Sequence, residues 1–227
     1  MVCLSDVADD MFIIDFGQGD RANGTVGYFW EVLAKQTLPA WLHPVAGVTT
    51  MGFIVDEPVT NQVQLKPLKQ WLLKLAKSAV QKDLKPTRKL VLPVCYDAGM
   101  GMDLTRIANE HGLKVEEVVE IHLSGIYRAE LIGFLPGFAY LGGVDPRIQT
   151  PRLSTPRSTL PPGSLGIAGS QCAIYPDASP GGWNIIGRCP FKLFDVAKAH
   201  PCFIQLSDMV TFQRITKSEF DQLWTQR

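Results

Sequence analysis

The chain has 227 residues, of which 46% are hydrophobic, so it is long enough to bury the core of one large domain or two small ones. Lysine plus arginine and aspartate plus glutamate number 22 each, which gives a net charge of zero. This balance argues against binding of nucleic acid or of an anionic membrane surface by charge alone. No apolar run approaches the roughly eighteen residues that a membrane span requires.

The N-terminal segment and the cysteines both predict a cytoplasmic protein. The first residues, MVCLSDVADDMF, carry three aspartates and lack the basic start and apolar middle of a secretory signal. The five cysteines are odd in number, widely spaced and without a C-x-x-C pair. We therefore expect reduced thiols, with neither a disulfide framework nor a metal site.

Residues 1–87 are expected to form a small α+β domain. Its predicted elements are a strand at 11–16, a helix at about 25–36, two strands around Ala46-Gly47 and a long amphipathic helix at 62–82. With a further strand at 88–96, this order suggests a split β-α-β arrangement. Lys85-Pro86-Thr87 is the best candidate for a domain boundary, and the apolar strand at 88–96 leads into the second unit.

Residues 88–227 are expected to form a mainly-β domain. Asp103 is placed to cap a helix that Gly112 ends, and a second short helix follows at 114–123. Beyond them, short apolar segments alternate with turn residues every eight to twelve positions or so, which predicts a closed or nearly closed β-barrel over 125–215. The two helices would cap this barrel.

The stretch from Gly133 to Gly187 is crowded with glycine and proline but also contains many aromatic residues. A disordered linker would lack the aromatics, so the pattern predicts short strands joined by tight turns that hold a surface in shape. The candidate residues of a groove or partner surface are Phe134, Phe138, Tyr140 and Trp183. The alternative is that these rings belong to the barrel core.

His122 is the candidate catalytic residue. It lies on the apolar face of its predicted helix, just before the strand that enters the central stretch. It could act as a base or an anion ligand at the mouth of the barrel. Equally, it could be a core histidine that is hydrogen-bonded to a carbonyl group.

Two arginines are candidates for binding an anionic substrate. Arg152 and Arg157 each follow a proline, which fixes the backbone before the guanidinium. Their planar donor forks suit a carboxylate or phosphate, although both could instead pair with internal carboxylates such as Asp145 or Asp177.

Gln171 and Tyr175 could line a groove with Trp183, and together with the two arginines they are the candidates for binding a substrate or an anion. Elsewhere the chain lacks G-x-S-x-G, H-E-x-x-H and any recognisable pair of catalytic carboxylates. The glycine-rich loop DAGMGMD lacks the Lys-Ser/Thr of a phosphate-binding loop. The chain alone therefore does not show a self-sufficient active site.

Several long motifs occur in the same order as in a known family. They are VLPVCYDAGMGMDL (91–104), GFLPGFAYLGGVDPRI (133–148), TPRLSTPR (150–157), PPGSLGIAGSQCAIYP (161–176) and SPGGWNIIGR (179–188). They resemble the family of allophanate hydrolase subunit 1, or kinase A inhibitor-like proteins, which includes the B subunit of 5-oxoprolinase. The resemblance is strong over 88–215 and weak over 1–87.

The resemblance implies a small α+β domain followed by a cyclophilin-like β-barrel. It also implies a B subunit that joins a cyclophilin-like C subunit and an A subunit to open 5-oxo-L-proline to L-glutamate, using ATP with Mg²⁺ in the assembled complex. Arg152 and Arg157 would then bind the substrate carboxylate or a phosphorylated intermediate, and His122 would act near the amide. The family's alternative roles are inhibition of a sporulation-type histidine kinase and service as a urea- or allophanate-type amidolyase subunit.

The chain departs from the family pattern at two positions. Cys172 and Cys189 stand where the family usually has threonine, so a thiol replaces a better hydrogen-bonding hydroxyl. If these hydroxyls contact the substrate, affinity should fall. If they only pack, little should change.

Overall fold

The chain folds into two compact units, Met1–Lys85 and Pro86–Arg227. The structure is a computed structural model that describes residues 2–56, 62–80 and 88–226. Among these residues no helix is both long and apolar enough to cross a membrane. Each unit is described by itself.

The N-terminal unit is an antiparallel sheet with two helices. Its elements are β1 (Cys3–Ala8), β2 (Met11–Asp15), α1 (Asp20–Leu33), β3 (Leu42–Ala46), β4 (Thr50–Val55) and α2 (Gln62–Val80). The strand order is β1-β2-β4-β3, with every neighbouring pair antiparallel. Phe12 and Phe53 pair across β2 and β4, and their stacked rings are fully buried.

The edge of this sheet differs from the prediction. β1 was not predicted, because its residues are mostly exposed and show no alternation that marks a buried face. The predicted strand at 88–96 does not close this sheet. It forms β5 (Lys89–Val94), which belongs to the sheet of the second unit.

The second unit is mainly β. After β5 come α3 (Leu104–His111), α4 (Val115–Ser124), β6 (Tyr127–Ile132), β7 (Ala139–Gly142), β8 (Arg157–Leu160), β9 (Ser164–Ala168), β10 (Gln171–Ile174), β11 (Ser179–Gly181), β12 (Asn184–Arg188), β13 (Met209–Arg214) and α5 (Lys217–Thr225). A seven-stranded sheet has the order β12-β9-β10-β7-β6-β13-β5, and β8 pairs with β11 in a separate ribbon. Only the pair of β5 and β13 is parallel.

The two edge strands of the large sheet meet, so the sheet is a nearly closed barrel. Cys95 directly follows β5, and Arg188 ends β12. Their backbones exchange two N–H···O bonds, both 2.9 Å long. The predicted near-closure of the barrel is therefore confirmed.

All seven strands contribute apolar side chains to one core, and α3 and α4 pack against it. We call this the inner face of the sheet. A second apolar cluster lies on the opposite, outer face, and it consists of Phe138, Leu160, Ala173, Tyr175, Trp183 and Ile185. β10 and β12 contribute to both clusters, because successive strand residues alternate between the two faces.

Asp103 precedes α3 as predicted, but it does not cap the helix with its side chain. One carboxylate oxygen, Oδ2, accepts the backbone N–H of Ile185 at 2.6 Å, and Oδ1 accepts from Arg157 at 2.7 Å. Asp103 therefore ties α3 to β12 and β8. Gly112 ends α3 in the left-handed conformation, with φ of 65°, as its sequence position predicted.

Candidate functional site

On the outer face, small residues lie beside larger ones, of which Gln171 and Tyr140 are half-buried while Ala173 and Gly166 are fully covered; we take this part of the face as the candidate site and call it the recess. On β10, Gln171 pairs with Ala168 of β9 on one side and with Gly142 of β7 on the other. The next residue on the same face, Ala173, pairs with Gly166. Because none of these neighbours has a long side chain, the larger residues around them stand as walls.

Aromatic rings form one wall, in which Phe138 and Trp183 are only 1% and 4% exposed, as the core alternative suggested, while Tyr140 is half-buried. The ring centroids of Tyr140 and Trp183 are 5.8 Å apart, and Phe138 lies 4.9 Å from Tyr140 and 5.8 Å from Trp183. All three pairs are edge-to-face, a favourable arrangement for aromatic quadrupoles. A Cβ on Gly166 would lie 3.0 Å from the Cβ of Trp183, so glycine lets the indole sit close to the sheet.

Arg152 extends over this aromatic wall. Its guanidinium carbon is 5.7 Å from the ring centroid of Trp183, and the side chain is exposed. A cation held over an aromatic face keeps its donor edge available to solvent. The structure thus brings Arg152 next to the aromatic candidates, and its guanidinium is not paired with Asp145, which pairs with Arg147.

Tyr175 lies under the aromatic wall. Its ring centroid is 5.3 Å from that of Phe138, and only 1% of the residue is exposed. Burial raises the pKa of Tyr175, and a hydrogen bond with the backbone of Trp183 and the nearby charge of Arg152 only partly oppose this rise. Tyr175 therefore supports the wall as a neutral phenol.

The other end of the recess is polar, and one of its residues was not predicted. Gln171 donates from Nε2 to Oε2 of Glu130 at 2.9 Å, and both side chains are half-buried. Glu130 lies in a β-bulge, where the register with β7 shifts between Ala129 and Leu131. No local pattern in the sequence announces a bulge, which is why Glu130 was missed.

Arg157 is engaged inside the protein. It donates to Asp103, which is 4% exposed, while the arginine side chain itself is 30% exposed. Asp145, one of its suggested partners, pairs instead with Arg147 at 2.8 Å. The Nη1 atom of Arg157 is buried and has no hydrogen-bond partner among the described residues.

His122 lies in the core of the inner face and not at a barrel mouth. It is fully buried, its Nδ1 is 2.9 Å from the Tyr96 hydroxyl, and its ring lies 4.7 Å from that of Phe212 and 5.1 Å from that of Tyr127. Burial lowers the pKa of His122 to about 3, so the imidazole stays neutral. Its catalytic role stays a prediction, and this placement favours the structural alternative, with a tyrosine hydroxyl in place of the expected carbonyl partner.

Phe134 stands apart from the other aromatic candidates because it is 60% exposed. It has a φ of 75°, a strained value for a residue with a side chain. The turn is held at both ends, since Gly133 donates to the carbonyl of Phe138 and Phe138 donates to the carbonyl of Leu135. The chain thus presents this ring from a rigid turn, with its edge against Phe138 at a centroid distance of 5.3 Å.

A larger recess adjoins the same turn. It has a volume of about 680 Å³, and its lining includes Leu135 and Pro136 of the turn, Lys192, Phe194 and Trp224. None of the residues predicted for the site lines it. Six of the predicted residues lie together on the outer face, whereas His122 lies in the inner core and Arg157 pairs with Asp103; the six are Arg152, Gln171, Phe138, Tyr140, Tyr175 and Trp183.

The two cysteines that depart from the family pattern lie away from the recess. Cys172 and Cys189 are both fully buried in the inner core. Burial raises the pKa of the Cys172 thiol well above its usual range. This placement favours the packing alternative for both positions.

Comparison with known proteins shows the family. Residues 2–204 match the family described as carboxyltransferase domain, subdomain C and D. The B subunit of 5-oxoprolinase from Bacillus subtilis is 32% identical over 96% of this chain and 94% of its own length. The proteins of the same name from Haemophilus influenzae and Escherichia coli O157:H7 are 41% and 34% identical over 66% and 77% of this chain, and over 70% and 78% of their own lengths. The chain therefore belongs to the carboxyltransferase-domain family that includes the B subunit of 5-oxoprolinase, as its motifs indicated.

Solved structures share the fold. A conserved uncharacterized protein from Pyrococcus horikoshii is 36% identical, with a TM-score of 0.58 over 96% of this chain and all of its own. The structure of TTHA0988 gives a TM-score of 0.75 at 29% identity. The match covers 94% of this chain and 40% of the longer TTHA0988 chain. The urea carboxylase of Kluyveromyces lactis has a TM-score of 0.72 at 20% identity over 97% of this chain and 22% of its own, a similarity of fold alone.

Proposed function

We propose that the chain is the B subunit of an ATP-dependent 5-oxoprolinase that opens 5-oxo-L-proline to L-glutamate together with the A and C subunits. The observation that carries the proposal is the outer recess, which has a guanidinium and aromatic rings at one end and a carboxylate–carboxamide pair at the other. Such a recess suits a small ring that bears one carboxylate and one amide. The names of the three bacterial relatives support the same assignment.

The spacing of the recess fits a substrate of this size. Trp183 precedes Asn184, which pairs with Ile167, so Trp183 lies beside Ala168. Ala168 in turn pairs with Gln171, which places Trp183 and Gln171 two strands, or about 10 Å, apart. In the proposed binding mode the substrate carboxylate meets Arg152, the ring lies against the half-buried Tyr140, and the amide faces Gln171.

ATP does not fit the glycine-rich loop of this chain. The N–H groups of Met100 and Gly101 both donate to the carbonyl of Asp97, so they are not available to a phosphate. A Cβ on Gly101 would lie 2.5 Å from the carbonyl oxygen of Ile186, which shows that two backbones are in contact there. We therefore propose that ATP and Mg²⁺ are bound in the assembled complex and not by this loop.

The test is ATP-dependent glutamate formation from 5-oxoproline, by this chain alone and then mixed with its candidate A and C subunits. Activity that appears only in the full mixture would support the proposal. A complex that assembles but leaves 5-oxoproline unchanged would contradict it and would favour a urea-type amide substrate. Failure of the three chains to assemble would favour the regulatory alternative below.

Arg152 provides a residue-level test of the same proposal. Replacing it by methionine removes a charge-assisted bond to the carboxylate, so we expect KM for 5-oxoproline in the complex to rise about 10- to 100-fold. The change in kcat should be small, because the bond is present in both the ground state and the transition state. Arg106→Met, at an exposed arginine of α3 that pairs with Glu110, is the matched control. An unchanged KM in Arg152→Met would remove Arg152 from the site.

A second candidate function rests on Phe134. An exposed aromatic ring on a rigid turn is typical of an anchor in a protein interface. This observation favours a regulatory protein that docks on the helical domain of a histidine kinase. The test measures the autophosphorylation rate of a purified kinase with a saturating excess of the chain or of its Phe134→Gly variant. If neither protein changes the rate, this role is excluded.

A further inference from the structure

We propose that Glu130 is a positioning residue that holds the carboxamide of Gln171 with its oxygen toward the recess, so that the site selects a ring amide that carries an N–H. The inference rests on the proposed function of the recess, and it assigns Gln171 a different role from the anion binding that its position in the sequence suggested. Three observations support it: the aim of Glu130, the identity of the atoms in its bond to Gln171, and the charges at the two ends of the recess.

The backbone aims Glu130 at Gln171. Glu130 is the extra residue of the bulge between Ala129 and Leu131, and a bulge redirects the side chain that it carries. The carboxylate then lies over Gly142, where a Cβ would be 2.0 Å from Oε1 of Glu130. Since Gly142 is also the direct partner of Gln171, the glycine leaves the space in which the two side chains meet.

The bond fixes which way the carboxamide faces. An ionised carboxylate can only accept hydrogen bonds, so Gln171 must turn its NH₂ group toward Glu130 and its oxygen away. With glutamine at position 130 this restriction would disappear, because the new NH₂ group could donate to the oxygen of Gln171. The negative charge of Glu130 therefore determines the direction in which Oε1 points.

An oxygen that points into the recess is an acceptor, and it selects a donor. A lactam N–H satisfies it, whereas a lactone of the same shape presents a ring oxygen and leaves two acceptors face to face. Gln171 is half-buried, so water can partly replace the missing donor, and we expect discrimination of about 10-fold between such isosteres. Arg128 pairs with Gly142 beside Glu130, so the polar end carries charges of both signs, and we place the substrate carboxylate at the other end because Arg152 extends over Trp183 there.

The first experiment measures the orientation in the chain itself. The side-chain amide signal of Gln171 in a ¹⁵N–¹H spectrum is identified by its loss in Gln171→Glu. We expect Glu130→Gln to move this signal toward the position of a solvent-exposed amide. Glu120→Gln, the same change at an exposed residue of α4, should leave it in place. An unmoved signal in Glu130→Gln would overturn the inference.

The second experiment measures selectivity in the assembled complex. KM is determined for 5-oxoproline, and the inhibition constant is determined for the γ-lactone in which oxygen replaces the ring N–H. In the wild type we expect the lactone to bind at least about 10-fold more weakly than the lactam. In Glu130→Gln we expect the KM for 5-oxoproline to rise and the inhibition constant of the lactone to fall. The ratio of the lactone inhibition constant to this KM should then narrow to about threefold or less. Glu120→Gln should keep the wild-type ratio.

Gly142→Ala tests the contact between Glu130 and Gln171 without changing a charged residue. The added methyl group must displace the carboxylate of Glu130, so this variant should narrow the ratio as Glu130→Gln does. The double variant should then resemble either single variant, because both changes remove one interaction. If the two substitutions changed the lactam-to-lactone ratio independently, so that their effects multiplied in the double variant, the inference would be contradicted.

The two experiments separate failure of the inference from failure of the proposed function. A complex with no 5-oxoprolinase activity, but with a Gln171 signal that moves in Glu130→Gln, would reject the function and retain the positioning role. An active complex in which the lactam-to-lactone ratio of Glu130→Gln equals that of the wild type would retain the function and reject the selection by Gln171.

Discussion

His122 shows how the environment of a single residue changes its interpretation. On its helix it has the appearance of a base, because it is a lone titratable group on an apolar face. In the fold that face packs into the inner core, where Nε2 is buried without a partner among the described residues. A neutral imidazole held between a tyrosine hydroxyl and two aromatic rings contributes to packing, and protonation would be costly there.

This burial predicts a dependence of stability on pH. The pKa of His122 is lowered from 6.5 to about 3 in the folded chain, so the unfolded chain binds a proton more readily. The contribution of His122 to stability is therefore complete above pH 6.5 and is lost progressively as the pH falls toward 3. Between roughly pH 7.5 and pH 5 we expect the free energy of unfolding to fall by about 2 kcal/mol through this residue.

Denaturant unfolding of the wild type and of His122→Asn at the two pH values measures this contribution. The variant should be less stable at neutral pH, since it leaves a cavity, but its stability should depend less on pH. Phe212→Leu makes a cavity in the same cluster and keeps the histidine, so it should retain the wild-type dependence. If His122→Asn loses as much stability on acidification as the wild type, the residue does not have this lowered pKa.

Side chains in the recess differ in how far the sequence could predict them. Phe138, Tyr140 and Trp183 were grouped correctly, because aromatic residues between breakers in short strands converge on one sheet face. Glu130 was missed, because its direction depends on a bulge that becomes visible only when β6 is paired with β7. The position of Cys172 follows from that of Gln171, because adjacent strand residues point to opposite faces. Gln171 lies on the outer face, and Cys172 therefore lies in the inner core.

At the level of secondary-structure elements, one carboxylate connects three of them. Asp103 stands before α3, accepts a backbone N–H from β12 and pairs with an arginine of β8. Because Asp103 is almost completely buried, its charge is tolerated only with these partners. The second guanidinium nitrogen of Arg157 has no partner among the described residues, so loss of Asp103 would leave that cation without compensation.

We expect Asp103→Asn to cost about 2 to 3 kcal/mol of unfolding free energy, less than for a fully buried pair because Arg157 is partly exposed. The side-chain oxygen of the new asparagine can still accept the backbone N–H of Ile185, so the loss of unfolding free energy comes mainly from the broken charge pair with Arg157. The double variant Asp103→Asn/Arg157→Met should be more stable than the sum of the single variants predicts, by about 1 to 3 kcal/mol. Chemical denaturation of the four proteins gives this coupling. Strictly additive losses would mean that the pair does not act as a unit.

The two errors in the strand assignment have different physical origins. The strand at 88–96 was recognised as a strand, but its partner is β13, more than a hundred residues further along the chain. Strand pairing at such separation depends on tertiary packing, which short-range periodicity does not record. β1 was missed for the opposite reason, since an exposed edge strand needs no apolar alternation to pair with β2.

At the scale of the whole molecule, each unit has a core of its own. The N-terminal sheet buries the stacked pair of Phe12 and Phe53, whereas the inner core of the second unit is drawn from its seven strands and two helices. The backbone hydrogen bonds of each sheet are formed within one unit. Units built in this way should open separately, because the packing and hydrogen bonds that opening disrupts belong mostly to one of them.

Native-state hydrogen exchange tests this independence. Leu141→Ala removes a fully buried side chain from the inner core and should cost roughly 2 to 5 kcal/mol of stability there. We expect its slowly exchanging amides in β6, β7, β9 and β10 to exchange faster while those of β2 and β4 keep their wild-type rates. Phe53→Ala, its counterpart in the N-terminal sheet, should produce the reverse pattern. Acceleration of both sets of amides by either substitution would show that the chain opens as one cooperative unit, since a local cavity would then destabilise a core that it does not touch.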